Sequence, residues 1–205
     1  MTAQPAAPRY SDIQAEARAA AKAVLERGEG LTAAAHAAIA TADSFWTRVV
    51  ATVGLDQQIA AIQCGAGCFH CCHQMVGVTA AELELVRAAV AALPEPLRGQ
   101  TRARIKKVAA RGKKLDQAGW WRAKLRCALL DDQGRCLVHE ARPLPCRAMN
   151  SSNAETCRRS LAGESLQIPV LAAQHKVWGS AQLGLAQAVA EAGHGSKIVN
   201  LGTAL

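Results

Sequence analysis

The apolar positions of the chain recur mostly at helical spacing. Ser11 precedes a pattern that runs to about Arg27 and is stopped by Gly28 and Gly30, so Ser11 is the expected N-cap of a first helix. A second pattern runs from Thr32 to about Gln63, with Phe45, Trp46, Val49, Val50 and Val53 spaced for one buried stripe and Gly54 placed to bend or divide it. The aromatic pair in that stripe reads as core. Thr79-Ala80-Ala81-Glu82 has the form of a capping box, in which hydroxyl and carboxylate each satisfy an orphan backbone N–H. The helix it opens carries Leu83, Leu85, Val86 and Val90 and ends before Pro94. Another begins near Pro96 and continues towards Gln117, and a last one spans Ile168 to about Ala192. The Pro- and Ala-rich first ten residues are expected to fray. No internal repeat is visible.

Composition narrows the fold class. The 205 residues include 44 alanines and only seven aromatic side chains. A β-sandwich or barrel needs β-branched and aromatic residues on its pleated faces, whereas alanine favours helices that approach closely around a thin core. The expectation is a mainly α protein. It is an irregular helical bundle formed as a single domain over 1–205, with a small cysteine-rich metal-binding core and one short β-hairpin. No run of eighteen apolar residues occurs, and the opening residues lack an apolar signal segment. The sequence therefore predicts a cytoplasmic protein without a membrane partner.

The eight cysteines change the picture. In a reducing compartment a clustered set of this kind points to metal binding or catalysis rather than to disulfides. The first block is Cys64-Gly65-Ala66-Gly67-Cys68-Phe69-His70-Cys71-Cys72-His73. In a helix its four sulfurs would share a face about 100° wide. Gly65 and Gly67 favour instead a loop that wraps its metal, and either geometry converges the thiols. The second block places Cys127 and Cys136 on either side of Asp131-Asp132-Gln133-Gly134. That turn should close a small hairpin, with Gly134 in the left-handed conformation. Cys146 follows in Arg142-Pro143-Leu144-Pro145-Cys146-Arg147, and Cys157 follows a polar turn that contains Asn153.

Thiolates select zinc, copper(I) or iron–sulfur centres. Four cysteines complete either a tetrahedral zinc site or a [4Fe–4S] cluster. The side chains of adjacent Cys71 and Cys72 diverge, and no second Cys-x2-Cys knuckle is present. Both features favour a multinuclear centre or two sites over one tetrahedral ion, so an iron–sulfur cluster is expected ahead of zinc. Cys64-x3-Cys68-x2-Cys71 also has the spacing of a radical S-adenosylmethionine cluster loop, but that fold needs repeated βα units that this pattern lacks. His70 and His73 flank the block and Arg147 follows Cys146, as candidates to ligate or to support a ligand. His36, His139, His175 and His194 are weaker candidates. No catalytic residue is recognisable, because no Ser–His–Asp order, phosphate loop or paired-carboxylate motif occurs.

These blocks resemble the YkgJ-type family of cysteine-cluster proteins, described as a zinc- or iron-chelating domain. The family pattern is a Cys-x2–3-Cys-x2-Cys-Cys block, a Cys…Asp-Gly-x-Cys segment, an Arg-Pro-x-x-Cys-Arg segment and a final Cys. Cys64 to Cys72, Cys127 to Cys136, Arg142 to Arg147 and Cys157 match these in order over residues 60–160, with Gln133 inserted before Gly134. The resemblance implies a metal site built on Cys64, Cys68, Cys71, Cys72, Cys127, Cys136, Cys146 and Cys157. A related cluster in flagellin lysine methylases keeps a modification enzyme among the readings, beside a redox or sensing protein that meets a protein partner.

Charge adds a competing reading. Between Arg98 and Arg126 lie eleven basic residues and one acidic residue, Asp116, so the formal +8 of the chain is a local feature of a basic helical insert at 96–126. Three accounts of it are open. It is a solvated helix face, a surface for an anionic partner such as nucleic acid or an acidic protein, or a set of cations that offsets an anionic thiolate centre. The second account goes with a zinc-stabilised binding scaffold.

Overall fold

The computed structural model describes residues 8–205. Most of the residues expected to fray therefore lie outside the described part. The elements in chain order are α1 (Tyr10–Glu26), α2 (Gly30–Val53), α3 (Asp56–Ala60), β1 (Gly77–Val78), α4 (Ala80–Ala91), α5 (Leu97–Gly112), α6 (Gln117–Arg122), α7 (Leu144–Ala148), α8 (Ala154–Ala162), α9 (Ala172–Glu191), β2 (Val199–Asn200) and α10 (Leu201–Ala204), with short 3₁₀ turns at His70–His73 and His139–Ala141.

Helices α1, α2 and α9 pack on one another through small residues. Ala17 and Ala21 of α1, Ala34, Ala35, Ala38 and Ala42 of α2, and Ala181 and Ala188 of α9 are fully buried. Their lack of bulk lets the backbones approach closely, as the alanine content predicts. The limit is reached at Gly184 of α9, where an added Cβ would stand 2.2 Å from the carbonyl oxygen of Gln14. Larger side chains, among them Ile13, Phe45, Val177 and Leu185, fill the remaining space, and one contiguous cluster of buried apolar residues reaches from Ile13 of α1 to Leu201 of α10. Trp46 packs edge-on against Trp178 with ring centroids 5.5 Å apart.

Several element boundaries differ from the sequence expectation. The first helix is opened by Asp12, whose carboxylate accepts the Arg9 amide at 3.0 Å, and Ser11 lies inside the first turn. The second helix divides at Gly54, which takes a left-handed φ of 73°. Val53 is left 57 % exposed there, outside the buried stripe. The basic helix stops at Gly112 because Asp116 caps a new helix, accepting the Gly119 amide at 2.7 Å. The last long helix starts at Ala172 rather than at Ile168. Pro169 disfavours a helical Ile168, and the Leu171 amide is taken by Asn150 Oδ1 at 2.6 Å.

The short antiparallel pair of strands is present, but it joins Gly77–Val78 to Val199–Asn200 near the C-terminus. The Cys127–Cys136 turn carries only a single bridge, Leu130 to Cys136. Asp131 explains why it stays a turn: its carboxylate accepts the amides of Gln133 and Arg135 at 2.9 and 2.8 Å, which tightens the loop locally.

The Thr79–Glu82 capping box forms as expected, and Glu82 does more than cap. Fully buried, it accepts hydrogen bonds from the Thr79 amide (2.9 Å), the Thr79 hydroxyl (3.0 Å), the Leu144 amide (2.9 Å) and Gln182 Nε2 (2.9 Å). One carboxylate thus ties α4 to α9 and to the start of α7, the helix that carries Cys146.

Candidate metal centre

Six of the cysteines lie in loops and short turns, while Cys146 is carried by α7 and Cys157 by α8. The first block is a loop, as its glycines predict. Gly67 takes a φ of 84°, the Cys68 amide closes a turn onto the Gly65 carbonyl at 3.0 Å, and the 3₁₀ turn at His70–His73 follows. Two contacts fasten this loop to the second block. The Cys127 amide donates to the Cys72 carbonyl at 2.8 Å, and Gly134 lies so close under the Phe69 ring that a Cβ would stand 2.4 Å from its Cδ1. Gly134 also has the expected left-handed φ, 77°.

The thiols fall into two neighbourhoods. In the first, Cys64, Cys68, Cys71 and Cys157 border a cavity of about 160 Å³. Cys64 Sγ is 3.9 Å from the Ser151 carbonyl oxygen. Burial, reinforced by the Cys68, Cys71 and Cys157 thiols, pushes its pKa up to about 11. In the second, Cys127, Cys136 and Cys146 stand together. Burial pushes Cys127 up to about 11, with Cys136 and Cys71 adding to the effect. Burial and then Cys127, Cys71 and Cys136 raise Cys146, and burial raises Cys136.

Cys71 belongs to both neighbourhoods. A hydrogen bond with Cys72 and then burial raise its pKa, and it acts on Cys64 on one side and on Cys127 and Cys146 on the other. The adjacent side chains thus do not diverge as the sequence led one to expect: the Cys71 and Cys72 thiols are hydrogen-bonded to each other, and Cys71 alone is shared by both groups.

The supporting residues are only partly those the sequence singles out. Arg147 turns away from sulfur: its Nε donates to the Arg142 carbonyl at 2.9 Å and its Nη2 to the Glu140 carbonyl at 2.5 Å, which closes the turn before α7. His73 is buried beside the Phe69 carbonyl, 3.3 Å from its Nδ1. Two cations act on the thiols: Arg142 lowers the pKa of Cys71, Cys136 and Cys146, and Arg126, at the end of the basic insert, lowers that of Cys127, each against the larger effects that raise them. The Nε of Arg142 is buried without a hydrogen-bond partner. His70 and His175 both border the cavity of the first neighbourhood, and each has a buried ring nitrogen without a partner, His70 Nδ1 and His175 Nε2. Burial lowers the His175 pKa, so the ring is neutral near pH 7. Sequence spacing gives no signal for His175, because α9 brings it to the cysteines from outside their blocks.

Among the described residues, no three Cys, His, Asp or Glu side chains are drawn together as tightly as a bound ion would hold them. The donor set nevertheless fits a thiophilic metal. Several half-buried thiols stand beside one another, with unpartnered nitrogens on His70, His175 and Arg142 near them. A metal ion would replace the thiol protons, and its charge would offset the repulsion between the resulting thiolates.

Residues 63–163 match the CxxCxxCC family model, described as "Putative zinc- or iron-chelating domain". This stretch holds all eight cysteines and the basic helix α5, while α1, α2 and α9 lie outside it. Neither a curated protein nor a solved structure matches the chain. No helix among the described residues is long and apolar enough to cross a membrane.

Proposed function

We propose that this protein, a YkgJ-type cysteine-cluster protein, holds an iron–sulfur centre of the [4Fe–4S] kind on its cysteines and serves a redox, sensing or modification-related role with a protein partner. The observation that carries this reading is Cys71, hydrogen-bonded to the Cys72 thiol and shared between two thiol neighbourhoods. A single tetrahedral ion uses four ligands at one point. Thiols distributed about a shared residue suit a centre of larger extent. When bound, such a centre supplies one-electron chemistry.

The chain's own residues prepare the surroundings. The Cys127–Cys72 hydrogen bond fixes the two blocks against each other. Arg142 offers a half-buried cation with an unpartnered Nε, which offsets part of the thiolate charge. Glu82 sets the start of α7 and hence the approach of Cys146.

Anaerobically purified protein should be brown, with sulfur-to-iron charge-transfer absorption that bleaches on reduction. Cys71→Ser, Cys68→Ser and Cys146→Ser should each lose that absorption. Colourless anaerobic protein that holds zinc overturns the reading.

A second reading has its own observation. Of the eleven cations between Arg98 and Arg126, only Arg98 pairs with an acid among the described residues, through Glu95 at 2.8 Å. Arg102, Lys106, Lys107, Arg111, Lys113 and Lys114 are exposed. In this reading zinc shapes a scaffold and the basic face of α5 contacts an anionic partner.

A further inference from the structure

Helix α9 lies outside the cysteine blocks and outside residues 63–163, yet its first turn is latched to the segment between Cys146 and Cys157. Asn150, buried, accepts the Leu171 amide at 2.6 Å and donates to the Leu171 carbonyl at 3.3 Å. Gln174 Nε2 donates to the Arg147 carbonyl at 2.9 Å. Three hydrogen bonds are thus committed to fixing one helical turn beside the thiols. The residue that follows Gln174 is His175. It borders the same cavity of about 160 Å³ as Cys64, Cys68 and Cys157, and its Nε2 is buried with no hydrogen-bond partner. A buried ring nitrogen left without a partner is costly unless something in that space completes it. Neutral imidazole is a good ligand for the metals that thiolates select.

We infer that His175 is a nitrogen ligand, through Nε2, to the metal held by Cys64, Cys68 and Cys157, so that this half of the centre is a mixed sulfur–nitrogen site. The inference rests on the metal–thiolate part of the proposed function and not on its iron–sulfur detail. In an iron–sulfur centre, histidine in place of a thiolate raises the reduction potential, because a neutral ligand replaces an anionic one. His70, whose Nδ1 is also unpartnered in this cavity, is the alternative source of nitrogen, and the test separates the two.

The test uses the full chain, stripped of metal and reconstituted with Co²⁺ under argon. Charge-transfer absorption reports thiolate ligation, and pulsed electron paramagnetic resonance reports imidazole nitrogen coupled to the ion. Wild type should show both. His175→Asn should keep the thiolate absorption, shift the d–d bands and lose the imidazole coupling. His36→Asn on the exposed face of α2 and His70→Asn should retain it. Wild-type protein that binds Co²⁺ through sulfur without imidazole coupling overturns the inference and leaves the thiolate site standing. Coupling lost in His70→Asn but kept in His175→Asn overturns it in favour of His70. Failure of wild type to bind Co²⁺ at all overturns both. The wild-type spectrum decides between sulfur–nitrogen and all-sulfur ligation even where a variant folds poorly.

Discussion

The Cys127 amide donates to the Cys72 carbonyl over 2.8 Å. This hydrogen bond joins the two cysteine blocks through the backbone of a residue that is itself a candidate ligand, so metal binding and the folding of both blocks are linked. Chelation of the metal under anaerobic conditions should therefore raise hydrogen exchange at the Cys68, Cys72 and Cys127 amides by about tenfold or more, while amides around Ala17, Ala38 and Ala181 in the helical frame keep their protection. Uniform loss of protection across the chain would show that the frame and the cysteine region unfold as one, contrary to this expectation.

Close packing of α1 on α9 is tested at two glycines of the same helix. A Cβ at Gly184 meets the Gln14 carbonyl oxygen at 2.2 Å, whereas a Cβ at Gly179 meets nothing within 4 Å. Gly184→Ala should destabilise the protein by about 1–3 kcal/mol through overpacking. Gly179→Ala should stabilise it by about 0.5–1 kcal/mol by reducing backbone freedom in the unfolded chain. Urea midpoints compare the two, and equal effects of the same sign would contradict the contact.

Glu82 carries a pH dependence of defined sign. Burial raises its pKa above the ordinary carboxylate value, against four hydrogen bonds that favour the charged form. The folded protein therefore binds the Glu82 proton more tightly than the unfolded chain does. The stability this contributes is present below the unfolded pKa and is lost as pH rises through the folded one. Stability of Glu82→Gln relative to wild type should accordingly increase from acid to neutral pH. Glu82→Ala, which orphans the Leu144 amide and Gln182, should cost about 2–4 kcal/mol. A difference between Glu82→Gln and wild type that is flat with pH would contradict the raised pKa.

The exposed cations of α5 and the two lysines that follow it separate a partner surface from a role at the metal. Replacing Lys106, Lys107, Lys113 and Lys114 by Gln should leave metal content unchanged and lower the salt needed to elute the protein from a polyanion column. Each lost phosphate-like contact removes about one unit of the logarithmic salt slope. Loss of metal in this variant would instead assign the cations to charge compensation at the centre.

Much of this architecture is legible in local patterns. The capping box at Thr79 and Glu82, the left-handed Gly134 and the thin alanine interfaces all follow from chemistry within a few residues. What the sequence hides depends on contacts between distant segments. The small sheet pairs Val78 with Val199, a partnership no turn signal announces. The Cys127 turn stays a loop because the Asp131 carboxylate takes its amides. At the centre, the eight cysteines announce themselves by spacing, but the contact between the adjacent Cys71 and Cys72 thiols runs against the divergence their adjacency suggests. Arg147, adjacent to Cys146, is drawn instead to the carbonyls of Arg142 and Glu140. Arg142 lies within the Cys146 segment, where spacing does not tell it from Arg147, and His175 approaches the thiols only through the packing of α9, which sequence distance conceals.

The most direct test of a cluster on these cysteines is the amount of iron and acid-labile sulfide per chain in protein purified without oxygen. The account predicts iron and sulfide together in similar amounts, because inorganic sulfide distinguishes a cluster from iron held by thiolates alone, and loss of both in Cys71→Ser. Stoichiometric zinc with neither iron nor sulfide in anaerobic protein, or iron without sulfide, would contradict it.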